Sequence, residues 1–223
     1  MRRVVITLLL CIFAFEVVFS ITPPHFQKVW TNNPWQPMSI IVTSATLDGL
    51  NLGVGDEIAV FDIETSTGNQ ICVGVIVLTS STGPFIITAS TDDPTTPVIQ
   101  DGFIPGHQII FRYWDVSKAE ETVLINATFD PGFNQVYTSL GTASVVLEGF
   151  SVLTWTGIVN DSWDNAGNWD FGLIPSLLIK VNIPSTPVGG NFPRIYSNDA
   201  QCKYLSVNPG ASLIISGHLR TGE

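Results

Sequence analysis

MSIIVTSATLDGLNLGVGDEIAVFD, residues 38–62, sets two apolar runs on either side of a glycine-rich turn. Met38 to Leu47 is dominated by Ile, Val, Ser and Thr, and Glu57 to Asp62 is short, apolar and closed by aspartate. Between them lies Leu52-Gly53-Val54-Gly55-Asp56. Short runs rich in β-branched residues and bounded by Gly and Asp read as strands joined by turns. A second turn of the same kind, Phe103-Ile104-Pro105-Gly106-His107, leads into QIIFRYWD, again closed by aspartate.

Working outward, the same texture recurs along the chain. Further strands are expected at Ile71 to Ser80, Phe85 to Ser90, Gln108 to Asp115, Thr122 to Phe129 and Ala143 to Leu147. Helical periodicity is nearly absent, and turn residues fall between the runs as they do in two-sheet proteins. The expected fold is therefore all-β, an antiparallel β-sandwich of jelly-roll or Ig-like type over residues 21–149. Residues 150–223 differ in texture. Leu205-Ser206-Val207, Ser212-Leu213-Ile214-Ile215 and His218-Leu219-Arg220 are very short runs broken by Pro-Gly and Ser-Gly. Short strands at tight intervals predict an incomplete second β-rich module, either the start of a β-solenoid or part of a small sandwich. The pattern breaks off at Thr221-Gly222-Glu223, so the chain is expected to be the N-terminal part of a longer protein.

Residues 1–20 read as a signal peptide: Arg2 and Arg3, an apolar run, then Val18-Phe19-Ser20 at a cleavage position. The run is too short, and too interrupted by Glu16, for a spanning helix, so no membrane span is expected after cleavage. Cleavage would remove two positive charges and one negative, taking the formal charge from −10 to −11. A surface this acidic repels phosphate backbones and excludes nucleic acid as a partner. The expected location is secreted or on the cell surface. Export permits a disulfide between Cys72 and Cys202, yet each sits in an apolar strand pattern, and two buried free thiols are expected.

Two blocks of sequence resemble modules of known proteins. HFQKVWTNNPWQPMSIIVTSATLDGLNLGVGDEIAVFD, with ICVGVIVL and ASTDDPTTPVIQDGFIPGHQIIFRYWD, resembles a repeated domain of large secreted surface proteins of Bacteroidetes and related bacteria. Many of those carry a sorting signal for type IX secretion; no such C-terminal domain is present in this sequence. WTGIVNDSWDNAGNWDFGLIPS, with NFPRIYSNDAQCKYLSVNPGASLIISG, resembles a second, Trp/Asn-rich β module from similar proteins. The resemblance implies a surface-exposed architectural protein, adhesive or carbohydrate-associated.

Three constellations are candidates for function. Trp155, Trp163 and Trp169 lie among Asn, Asp and Gly; the tightly turning chain around them favours burial as a structural knot over a sugar platform. Trp30 and Trp35 flank Thr-Asn-Asn-Pro, a segment too polar to be core throughout, and are the candidate binding residues. Asp92, Asp93 and Asp101 fall in one long loop and are the candidate metal ligands. Calcium is the cation they would hold, because it takes oxygen ligands from loops. The spacing is not that of an EF-hand. His25, His107 and His218 have no partners at zinc spacing, and no G-x-S-x-G occurs. The expected function is a non-enzymatic adhesion or structural protein that contacts an extracellular glycan or surface protein. The alternative is a carbohydrate-binding module of a larger secreted enzyme.

Overall fold

The computed structural model describes residues 24–96 and 99–222; the expected leader at 1–20 lies outside the described residues. In chain order, the first unit holds β1 (Met38–Leu47), β2 (Leu50–Asn51), β3 (Glu57–Ile63), β4 (Gln70–Val77) and β5 (Phe85–Ala89). It continues with β6 (Ile110–Asp115), β7 (Glu120–Thr122), β8 (Leu124–Phe129) and β9 (Thr142–Phe150). One sheet has the order β2-β1-β9-β8, with β5 also paired to β1; the other is β4-β3-β6-β7. The two sheets share one core, to which β1 gives Ile40 and Val42, β3 gives Ile58 and Val60, and β9 gives Val145 and Leu147. The protein is an all-β sandwich.

One pairing departs from the expected antiparallel pattern. β1 and β9 run parallel, Ser39 opposite Thr142 and Leu47 opposite Gly149. A parallel pair cannot be joined by a tight turn and needs a long connection. Here the other seven strands of the unit supply it, because β1 and β9 are its first and last strands. β1 carries a bulge between Val42 and Ser44. Its buried positions are Met38, Ile40 and Val42, then Ala45 and Leu47, so the extra residue shifts the inward alternation by one. Thr43 donates its hydroxyl to the Val145 carbonyl across the bulge.

β3 is buried on both faces. Ile58 and Val60 face the sandwich core, while Ala59 and Phe61 join Phe26 and Cys72 in a smaller cluster outside it. The segment before β1 makes that second cluster by crossing the outer face of the sheet. Glu57, only 4 % exposed, accepts the backbone N–H groups of His25 and Phe26. His25 lies flat on Trp114, with centroids 3.6 Å apart and planes 3° apart, and its Nε2 is 2.8 Å from Glu121. Val29 then donates its N–H to the Cys72 carbonyl. This strap explains why EIAVFD is a continuous apolar run instead of an alternating one.

The change of texture in the sequence coincides with a change of pairing at Ser151. Beyond it lie β10 (Val152–Thr154), a short 3₁₀ turn (Ala166–Asn168), β11 (Lys180–Ile183), β12 (Arg194–Ile195) and β13 (Ala200–Cys202). β14 (Tyr204–Val207), β15 (Ile214–Ile215) and β16 (Leu219–Thr221) follow. All pairings among these strands are parallel: β10-β11-β14, β12-β15 and β13-β16. Successive turns of chain thus stack strand on strand, as coils of a solenoid do. Their inward residues form a core of their own with Leu153, Val181, Ile183, Ile195 and Cys202.

The three tryptophans of 155–169 close the start of this stack. All are buried, and Trp169 meets both Trp155 and Trp163 edge-to-face at 4.9 and 4.8 Å. The Trp155 indole donates to the Asn191 carbonyl, and that of Trp169 to the Trp163 carbonyl. Asn168, fully buried beside them, accepts the N–H groups of Val159 and Asn160 on Oδ1 and donates Nδ2 to Asn160 and to the Ser162 carbonyl. A structural knot was expected, and the rings form one. Both described cysteines are free and buried, also as expected; burial pushes the Cys72 thiol up to about 11.

The two units meet where β7 approaches β11. Glu120 accepts from Lys180 Nζ at 2.6 Å and lies 3.7 Å from Lys203 Nζ. The hydrogen bond from Lys180 holds the Glu120 carboxyl below the usual glutamate range, against the opposing effect of burial.

Two measurements test these contacts. Gly149→Ala would bring a methyl group within 2.6 Å of the buried Tyr113 ring, and is expected to cost about 1–3 kcal/mol in urea unfolding. Because the Glu120 pKa is depressed on folding, its ion pairs contribute fully above the unfolded-state value and are lost as pH falls through the folded one. The difference in urea midpoint between wild type and Glu120→Gln should therefore be largest near neutrality and shrink below about pH 4.5.

Candidate functional site

The structure brings the two candidate groups of the sandwich to one place. Trp30 and Trp35 lie on the segment that links the strap to β1; Asp93 and Asp101 lie on the loop between β5 and β6. Together with Asn32 and Asn33 they line one pocket of about 380 Å³. Asp92 belongs to the same loop but does not line it.

Backbone contacts hold the linking segment against the loop. Trp35 donates its N–H to Ser90 Oγ, and its carbonyl accepts from the Thr91 N–H. Thr91 Oγ1 donates to the Gln36 carbonyl and lies 2.8 Å from the Tyr137 hydroxyl. Tyr137 in turn stacks on Phe103 at 4.3 Å and donates to the Ala89 carbonyl. Asn32 and Gln36 adopt positive φ, which lets the chain turn twice within five residues.

The two tryptophans differ in role. Trp30 is 8 % exposed, donates its indole N–H to the Val73 carbonyl at 2.7 Å, and carries the Lys28 ammonium 3.3 Å above its ring. It forms the buried wall of the pocket. Trp35 is 39 % exposed and presents open aromatic surface.

The aspartates fasten the loop to itself. Asp92 Oδ1 accepts the Asp101 N–H, Asp101 Oδ1 accepts the Asp93 N–H, and Asp101 Oδ2 accepts from Thr96 Oγ1. Asp93 Oδ1 accepts both the N–H and the hydroxyl of Thr95. Burial, followed by the nearby charge of Asp101, raises the Asp92 pKa, opposed by the Asp101 N–H. Among the described residues no group of three or more His, Cys, Asp or Glu side chains converges in metal-binding geometry. Asp92, Asp93 and Asp101 are set out as a hydrogen-bonded clasp, with Asp93 and Asp101 contributing to the pocket wall.

Sequence reasoning passed over a further polar pair. His107 Nδ1 is 2.8 Å from Oδ1 of Asp62, a carboxylate 1 % exposed. Asp62 also accepts from the N–H groups of Ile63 and Ile104 and from Gln100 Nε2. The available signal was the recurrence of aspartate at strand ends. Asp56 likewise accepts from the N–H groups of Gly53 and Val116, and Asp115 from those of Ser117 and Lys118. Each closes a turn by giving backbone N–H groups of the loop a charged acceptor.

Comparison with protein-family models, with curated proteins and with solved structures finds no match for this chain.

Asp101→Ala would remove the acceptor of the Asp93 N–H, while the Thr96 hydroxyl keeps the Asp93 carbonyl. The expected cost is about 0.5–1.5 kcal/mol, with hydrogen exchange accelerating at Asp93 and Asp101 while amides of β3 are unchanged.

Proposed function

We propose that this chain is a non-enzymatic, secreted or cell-surface adhesion protein whose sandwich binds an extracellular glycan at the Trp35 pocket. The single observation that carries the reading is the composition of that pocket. An exposed indole stands beside Asn32, Asn33, Asp93 and Asp101 in a cavity about 380 Å³ in volume. Sugar rings offer C–H faces that pack on an indole and hydroxyl groups that seek amide and carboxylate partners at its edge. A second support is rigidity. The pocket's two sides are fastened to each other by the Trp35–Ser90 and Trp35–Thr91 hydrogen bonds, so little conformational entropy is lost on binding. The sandwich supplies the frame and its loops the contacts. An exported adhesin also accords with the acidic composition and with the residues 1–20 pattern.

Titration of the chain with a panel of neutral polysaccharides, with and without calcium, is followed by tryptophan fluorescence. A saturable shift in emission is expected. Trp35→Ala should weaken binding by about ten- to thirtyfold, equivalent to about 1.4–2 kcal/mol, without lowering the unfolding midpoint. An unperturbed spectrum throughout the panel would sink the glycan reading.

A further inference from the structure

We propose that the outer face of the β10-β11-β14 sheet is a second binding site, for an acidic polysaccharide whose sugars carry carboxylates. It is separate from the Trp35 pocket and does not rest on the reading of that pocket. The face forms the floor of a cavity of about 800 Å³, walled on one side by Glu120.

The parallel register arranges the floor in two rows. Val152, Lys180 and Tyr204 are directly opposite one another across the three strands, and so are Thr154, Asn182 and Ser206. Neighbouring strands are about 4.8 Å apart, so each row presents side chains at a constant interval over about 10 Å. The second row is wholly polar and half-buried, and among the described residues none of its side chains hydrogen-bonds to the protein. Hydroxyl, amide and hydroxyl at regular spacing match a polymer that repeats hydroxyl groups along its length. In the first row Tyr204 is 63 % exposed and offers a ring face on the same floor.

The charge of the site selects the class of polymer. Lys180 and Lys203 share the single carboxylate of Glu120, leaving one positive charge in excess at the wall. That is a local reversal in a chain of formal charge −10. The distant negative charges are damped beyond about 8 Å at physiological ionic strength, whereas contact with an ammonium is not. Lys203 is the group free to respond, since it stands 3.7 Å from Glu120 while Lys180 is bound at 2.6 Å. A carboxylate on the ligand would complete the pairing of Lys203, and the polar row would take the ring hydroxyls. An acidic peptide would satisfy the lysine but has no repeated hydroxyls for Thr154, Asn182 and Ser206.

Calorimetric titration of the full chain with polygalacturonate, dextran and poly-glutamate tests this. Polygalacturonate is expected to bind and dextran to fail, with binding weakening as salt rises. Lys203→Gln and Tyr204→Ala should each weaken polygalacturonate binding at least fivefold, and Glu120→Gln should strengthen it by releasing both lysines. Should Glu120→Gln unfold, Lys203→Gln still decides, because it leaves the shorter Lys180 pair in place. Trp35→Ala should leave this binding unchanged, which separates failure of this site from failure of the sandwich pocket. Equal or tighter binding of poly-glutamate, binding of dextran as tight as polygalacturonate, or no effect of Lys203→Gln and Tyr204→Ala would each overturn the proposal.

Discussion

The parallel pairing of β1 with β9 is the constraint on which the rest of the architecture depends. It places the first and last strands of the sandwich side by side in the middle of one sheet. The core cannot close until the whole unit has been collected between them. It also sets the direction in which the chain leaves. β9 ends at Phe150, and Ser151, whose N–H is held by Asp48, turns the chain directly into β10. Phe150 itself packs on the second core, with Phe171 edge-on at 4.9 Å. The last sandwich strand therefore seeds the stack that follows, and Glu120 with its two lysines ties the flank.

Polar residues in this protein serve mainly to stop and turn the backbone. Asp56, Glu57, Asp62 and Asp115 are all nearly buried, and each accepts backbone N–H groups, joined in Asp62 and Asp115 by side-chain donors. Burying a carboxylate without such partners would be prohibitive. The acidity of the composition is thus partly architectural. The same habit shows in Asp92, Asp93 and Asp101, the calcium set expected from residue type and proximity in sequence, where Asp92 Oδ1, Asp93 Oδ1 and both oxygens of Asp101 accept hydrogen bonds from within the loop.

The sandwich was legible because its strands carry long β-branched runs between Gly and Asp turns. β3 was readable from EIAVFD and β1 from MSIIVTSATL, whose slipped alternation even records the Thr43 bulge. The Asp48-Gly49 pair, both at positive φ, marks the tight β1-to-β2 hairpin as plainly, although β2 is too short to show a pattern. What could not be read was the parallel β1–β9 pairing, since nothing local distinguishes a strand's partner across some hundred residues. In the second unit, β14, β15 and β16 were visible and Cys202 marked β13 as a strand pattern, whereas β10 to β12 were not. Strands of two to four residues have too few positions for period-two alternation to stand out, and their order comes from stacking. Of the candidate site, Trp35 and the loop aspartates were identifiable as types, but their meeting in one pocket depends on the crossing of the segment before β1. The Lys180–Lys203–Glu120 wall was hidden for the same reason, its members being sixty or more residues apart in two cases.

The strap across β3 has a chemical consequence beyond packing. Cys72 lies beneath it, with its thiol raised to about 11 and its sulfur directed to the Gly74 carbonyl. Only thiolate attacks disulfides and oxidants at useful rates, and only where a reagent can reach it. So long as Glu57 grips the first residues of the strap, this cysteine is shielded from oxidants and disulfides in solution. The redox character of the sandwich is accordingly a property of a handful of N-terminal residues, and alkylation of Cys72 becomes a clock for how often they let go.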